Sequence, residues 1–139
     1  MSIILDGTAG ITATGSLTGL TTAISTAQGG TGNTSGVIGS AINSQTSAYI
    51  LAASDNGKVI SITTGGVTVN NSIMSAGQIV TIYNNSGSSQ TITQGAGVTL
   101  QWAGQSSSTT GSRTLGLYGI ATILFLSASS AVITGSGLT

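Results

Sequence analysis

From Ser47 onward, short runs of β-branched residues are cut by clusters of Gly, Asn, Asp and Ser at intervals of about 8 to 12 residues. Val, Ile and Thr crowd a helix but suit a pleated strand, and Gly, Asn and Asp accept the backbone angles of tight turns. No stretch of this half holds an apolar residue at every third or fourth place for long enough to make a helix. The chain contains no Pro, so all turning falls to Gly, Asn, Asp and Ser. The spacing predicts an all-β fold of about eight or nine strands. We expect a compact antiparallel β-sandwich or jelly-roll-like module over residues 47–139, preceded by an extended arm over residues 1–46.

Within the module, Tyr49 to Ala53 reads as a first strand, and Asn56-Gly57 as a tight hairpin into Lys58 to Thr63, with Ile60 and Ile62 on one face. Val67 and Val69 resume the alternation, and Gln78 to Asn84 follows. Thr91 to Thr93 and Val98 to Trp102 form an expected second hairpin, and Gln105 to Ser112 a polar loop. Thr114 to Tyr118, Ile120 to Ser127 and Ala131 to Thr134 complete the set. Parity puts Val98, Leu100 and Trp102 on one inward face, packed with the run Ile120 to Leu126. That run is far short of the roughly 20 residues that cross a bilayer, and its length suits a strand buried on both faces.

The first 46 positions differ in kind. They hold no aromatic residue and one charge, Asp6, and their apolar residues (Leu5, Ile11, Leu17, Leu20, Ile24) stand singly among small polar ones. No helical or alternating period runs through them, and one copy has too little apolar content to pack a core. Fully extended they reach on the order of 150 Å. We expect an arm that docks and makes subunit contacts, through Leu5, Asp6, Ile11, Leu17 and Leu20. The cluster Gln28 to Asn33 reads as a hinge, since it lacks the Lys-Ser/Thr of a phosphate loop.

Charge excludes most chemistry. Of 139 residues, 3% are charged, and the full set is Asp6, Asp55, Lys58 and Arg113, with net charge zero. Without His or Cys there are no ligands for the usual zinc and transition-metal sites and no imidazole for a catalytic triad. Two carboxylates do not make a calcium cage. Two cations leave no footprint for nucleic acid or an anionic membrane. The expectation is a non-enzymatic protein with no cofactor and no metal. Mean hydropathy of +0.43 and low net charge are unlike a disordered chain. A surface this poor in charge is risky for a free monomer, so much of it is expected to lie against partner subunits. The N-terminus lacks the basic region and long apolar stretch of a signal peptide, and we expect a soluble chain without membrane insertion.

Tyr49, Tyr83, Trp102, Tyr118 and Phe125 are the rings on which a glycan could stack. Trp102 and Phe125 belong by parity and neighbours to the core, whereas Tyr83 ends a strand and is more open. Tyr83 and Arg113 are therefore the candidate ligand contacts. Asp55 and Lys58 read as an exposed pair at a hairpin turn, where such pairs contribute little.

The opening Leu5-Asp6-Gly7-Thr8-Ala9-Gly10-Ile11-Thr12 resembles the LDGTxGIT start of many tailed-bacteriophage fibre proteins, and Ala27-Gln28-Gly29-Gly30-Thr31-Gly32 resembles an element that often precedes their distal modules. The remainder, including Asp55-Asn56-Gly57-Lys58, Val80-Thr81-Ile82-Tyr83-Asn84-Asn85 and the closing Gly135-Ser136-Gly137-Leu138, looks like the compact β module of fibre C-termini. The resemblance implies a homotrimeric virion protein on the tail or capsid exterior. Its arm would attach to tail, baseplate or capsid proteins, and its module would project, with a host-surface glycan as an implied ligand. No long repetitive shaft separates arm from module, which raises an alternative: a capsid decoration or cement protein, or a short head fibre. A polysaccharide-degrading spike is disfavoured by the shortage of paired carboxylates.

Overall fold

A computed structural model describes residues Gly39–Thr139. They are nearly all β, as the turn spacing predicts. The strands are β1 (Ile42–Gln45), β2 (Tyr49–Ile50), β3 (Val59–Ile62), β4 (Val67–Val69), β5 (Ile79–Asn84), β6 (Gln90–Gln94), β7 (Thr99–Trp102), β8 (Arg113–Ser127) and β9 (Ser130–Leu138). A single 3-10 turn, Ala53–Asp55, lies between β2 and β3. β1 falls inside the segment expected to be arm, and it pairs with β3.

The pairing is mixed rather than purely antiparallel. β1, β3 and β5 are parallel neighbours, and so are β2, β4 and β6. The chain therefore coils, laying each strand beside the one two earlier. Parallel strands need a crossover, and here each crossover carries a strand of the opposite set instead of a helix. Neither expected hairpin forms: β2 pairs with β4 rather than β3, and β7 pairs with β9 rather than β6. The reason is visible at Asp55, whose carboxylate accepts the Ala52 N–H at 2.9 Å. This local side-chain bond winds the 3-10 turn and ends β2 at Ile50. Asn56-Gly57, with Gly57 at φ 76°, then turns the chain into the other set of strands.

β8 closes the coil. Over its 15 residues it pairs antiparallel with β6 through Arg113 to Leu115 and with β5 through Ile120 to Leu124. It then turns into β9, the one antiparallel hairpin partner in the described residues. β7 joins the far side of β9 and takes an isolated bridge from Gln101 to Thr110, bending the sheet toward a barrel. The core lies inside the coil. Ile60 and Ile62 share the inner face as expected, with Val67, Val69, Ile82, Ile123, Phe125 and Ile133.

Polar groups turn the corners. Asn84 is fully buried and its amide donates to the carbonyl oxygens of Ser88 (2.8 Å), Leu115 (3.1 Å) and Gly116 (2.8 Å). Gln90 accepts the Gly66 N–H and donates to the Thr63 carbonyl. Gly66 has φ 71°, and a Cβ there would run into the Thr91 carbonyl, so this corner admits glycine alone.

The run Ile120 to Leu126 is not buried on both faces. Ala121, Ile123 and Phe125 are inside, whereas Ile120, Leu124 and Leu126 are exposed. No layer of the described residues covers the outer side of β8.

Candidate functional site

Leu5, Asp6, Ile11, Leu17 and Leu20, the expected docking residues, lie outside the described residues. Of the candidate ligand contacts, Tyr83 stands half-buried on the outer face of β5, opposite Ile120 of β8. Arg113 pairs across strands with Ile92, a core residue, and cross-strand partners share a face. Its guanidinium carbon sits 5.0 Å from the Trp102 ring centroid. Nε and Nη2 are buried without hydrogen bonds, so the ring face is what compensates them. The two candidates thus face different ways and do not form one site. Trp102 is half-buried and packs on the core beside Leu100, as parity indicates, with Arg113 over it.

Asp55 is not the exposed turn residue expected from its surroundings. Its exposure is 0%. Oδ1 accepts from Asn43 Nδ2 at 2.9 Å, and Oδ2 from the Tyr49 hydroxyl at 2.7 Å and the Ala52 N–H. Lys58 Nζ lies 3.8 Å from Oδ1. Burial pushes the carboxyl upward, but these donors and the Lys58 charge outweigh it and hold Asp55 below its usual range. Burial, then the bond to Asp55, raises Tyr49. A carboxylate with both oxygens engaged is held as an anchor, not as a free base. Among the described residues no group of three potential metal-ligating side chains comes together, and no helix is long and apolar enough to cross a membrane.

The extended surface feature is the outer face of β8. Of the eight exposed large hydrophobic residues among the described residues, five (Leu117, Tyr118, Ile120, Leu124 and Leu126) are on β8, and a sixth, Ile79, pairs with Leu124. Register extends the face in rows: Ile79, Leu124 and Val132; Thr81, Thr122 and Thr134; Tyr83, Ile120 and Ser136. Between Leu115 and Ile120 the β8–β9 ladder is broken by a bulge. Parity alone would turn Leu117 inward with Leu115. The bulge turns it out instead, with Tyr118, leaving them 56% and 62% exposed. Tyr118 takes φ 54°, a left-handed backbone that L residues adopt at a strain.

Sequence reasoning missed this face because it read β8 as two strands split at Gly119. The available signal was that both parities of Ile120 to Leu126 are apolar, while no further segment of the module is apolar enough to cover the second. Comparison with family models, curated proteins and solved structures returns no match.

Proposed function

We propose that the chain is a non-enzymatic structural component of a tailed-phage particle, a tail-fibre-like protein that acts by attachment or adhesion and assembles with copies of itself as a homotrimer. The observation that carries this reading is the charge-free apolar face of β8, which suits permanent coverage by protein better than exposure to water. The resemblance of Leu5 to Thr12 to fibre starts supports the phage assignment. The saturated Asp55 and the absence of any His or Cys are in keeping with a mechanical role.

A glycan platform built from Tyr83 and Arg113 is not favoured, since one looks outward and the other covers Trp102. The lack of a repetitive shaft before the module favours a second reading, a decoration protein on the capsid. Gold-labelled antibody against the chain, imaged on purified virions, tests both. Label on the tail is expected, label on the head selects the decoration reading, and virions without label refute the virion role.

A further inference from the structure

We infer that the outer face of β5, β8 and β9 seats a second copy of this chain, with the Leu117–Tyr118 bulge as the anchor of the contact. The inference rests on the reading that the chain works by assembly, and it names the surface that does so. Two independent features converge on this face. One is the row of exposed aliphatic side chains, Ile79, Ile120, Leu124 and Leu126, backed by a buried row on the same strand. The other is the strained bulge, since a tyrosine held at positive φ and left 62% exposed persists only where the surrounding strands impose it. Exposed aromatic anchors ringed by aliphatic contacts are the usual composition of a protein interface core.

Charge decides the occupant. The face carries no ionised side chain. Asp55 and Lys58 are paired at the 3-10 turn, and Arg113 is folded over Trp102. An anionic lipid, a nucleic acid or a charged peptide would find no counter-charge here. A matching partner is neutral, apolar and rich in small hydroxyls, which describes the surface of this chain itself, 3% charged overall. The hydroxyl row Thr81, Thr122 and Thr134 can bond laterally to its own equivalents. Strand addition at the sheet edges is a weaker route, because the edge strands β1 and β2 have only four and two residues.

The test is the mass of the full chain by light scattering after size exclusion, read beside its circular dichroism. The wild type is expected to give a multiple of the single-chain mass. The double variant Leu124→Lys with Leu126→Lys is expected to fall to the single-chain mass and keep its β spectrum. Thr122→Lys with Thr134→Lys, at exposed or half-exposed polar positions of the same face, makes the same prediction should the leucine pair fail to fold. Ile50→Lys with Thr68→Lys, a cross-strand pair on β2 and β4 away from this face, is expected to leave the multiple intact. A monomeric wild type, or face variants with the wild-type mass, overturns the inference. Antibody labelling of virions separates the two proposals: a labelled virion whose protein ignores the face variants defeats this inference alone. Protein dispersed by those variants but absent from virions defeats the virion reading alone.

Discussion

The Tyr49 hydroxyl donates a 2.7 Å hydrogen bond to Oδ2 of Asp55, tying the first turn of the coil to the 3-10 turn that launches the second. Asn43 of β1 adds its amide to both partners, at 3.0 Å to the hydroxyl and 2.9 Å to Oδ1. Three elements that are neighbours in sequence are thereby fixed to one another at the end where the coil begins.

Acid should loosen this end first. The unfolded chain takes up a proton on Asp55 near the ordinary 3.8, and the folded chain only below that value. Between the two, the unfolded state holds more protons, so stability is complete above that window and falls as pH drops through it. Asp55→Asn should remove most of this slope and cost about 1–3 kcal/mol at neutral pH, the usual range for disrupting a buried charged hydrogen-bond set. Urea midpoints measured from pH 7 to pH 2 check it; an unchanged slope in the variant would show that Asp55 is not the source of acid sensitivity. Tyr49 acts in the opposite direction. Raised above 10.0, it stays protonated longer in the folded chain, so stability falls as pH rises past 10.0, and Tyr49→Phe should flatten that limb.

Asn84 predicts a larger loss than its size suggests. Its amide satisfies the carbonyls of Ser88, Leu115 and Gly116, and its Oδ1 accepts from Ser86 Oγ at 2.7 Å. Asn84→Ala should leave these groups unpaired at the corner between β5 and β6 and cost roughly 2–4 kcal/mol. At about 4–8 °C per kcal/mol for a domain of this size, thermal unfolding reads it easily. A shift within a degree or two would mean that water replaces the amide.

Much of the fold was legible, and the limits were physical. The β class, the inward alternation of Ile60 and Ile62 and of Val67 and Val69, and the core position of Leu100 follow from period and parity. Strand partners do not, because Asn56-Gly57 supports a hairpin and a corner equally well, and the choice is made by Asp55 bonding back to Ala52. The burial of Asp55 was hidden because its donors come from Asn43 and Tyr49, earlier in the chain, and are brought together only by the coil. The apolar face of β8 was hidden because an apolar side chain reads alike whether it meets the core or a partner.

Tyr118 separates backbone strain from packing. A left-handed L residue costs roughly 1–2 kcal/mol, and Asn tolerates that region better than most. Tyr118→Asn should hold or raise the melting temperature in dilute protein, and Tyr118→Val, β-branched, should lower it. If both lower it equally, the ring packs on its own module rather than standing free for a partner.

Phe125, Trp102 and Tyr83 give the last test, because Phe125 is buried, Trp102 packs on the core and Tyr83 stands on the outer face, and the consequence of truncating each should fall in that order. Phe125 is among the largest fully buried side chains, and Phe125→Ala should cost about 3–5 kcal/mol. Trp102 is half-buried, so Trp102→Ala should cost less, about 2–3 kcal/mol, part of it from stranding Arg113 Nε and Nη2 without the ring face. Tyr83→Ala, on the outer face, should cost least in the isolated chain. Trp102 is the sole tryptophan, so its fluorescence reports this place directly. Arg113→Ala should uncover the ring and shift its emission to longer wavelength without unfolding the sheet. An unshifted emission together with an unchanged melting temperature would remove the guanidinium–indole contact from the account of how this end of the core is closed.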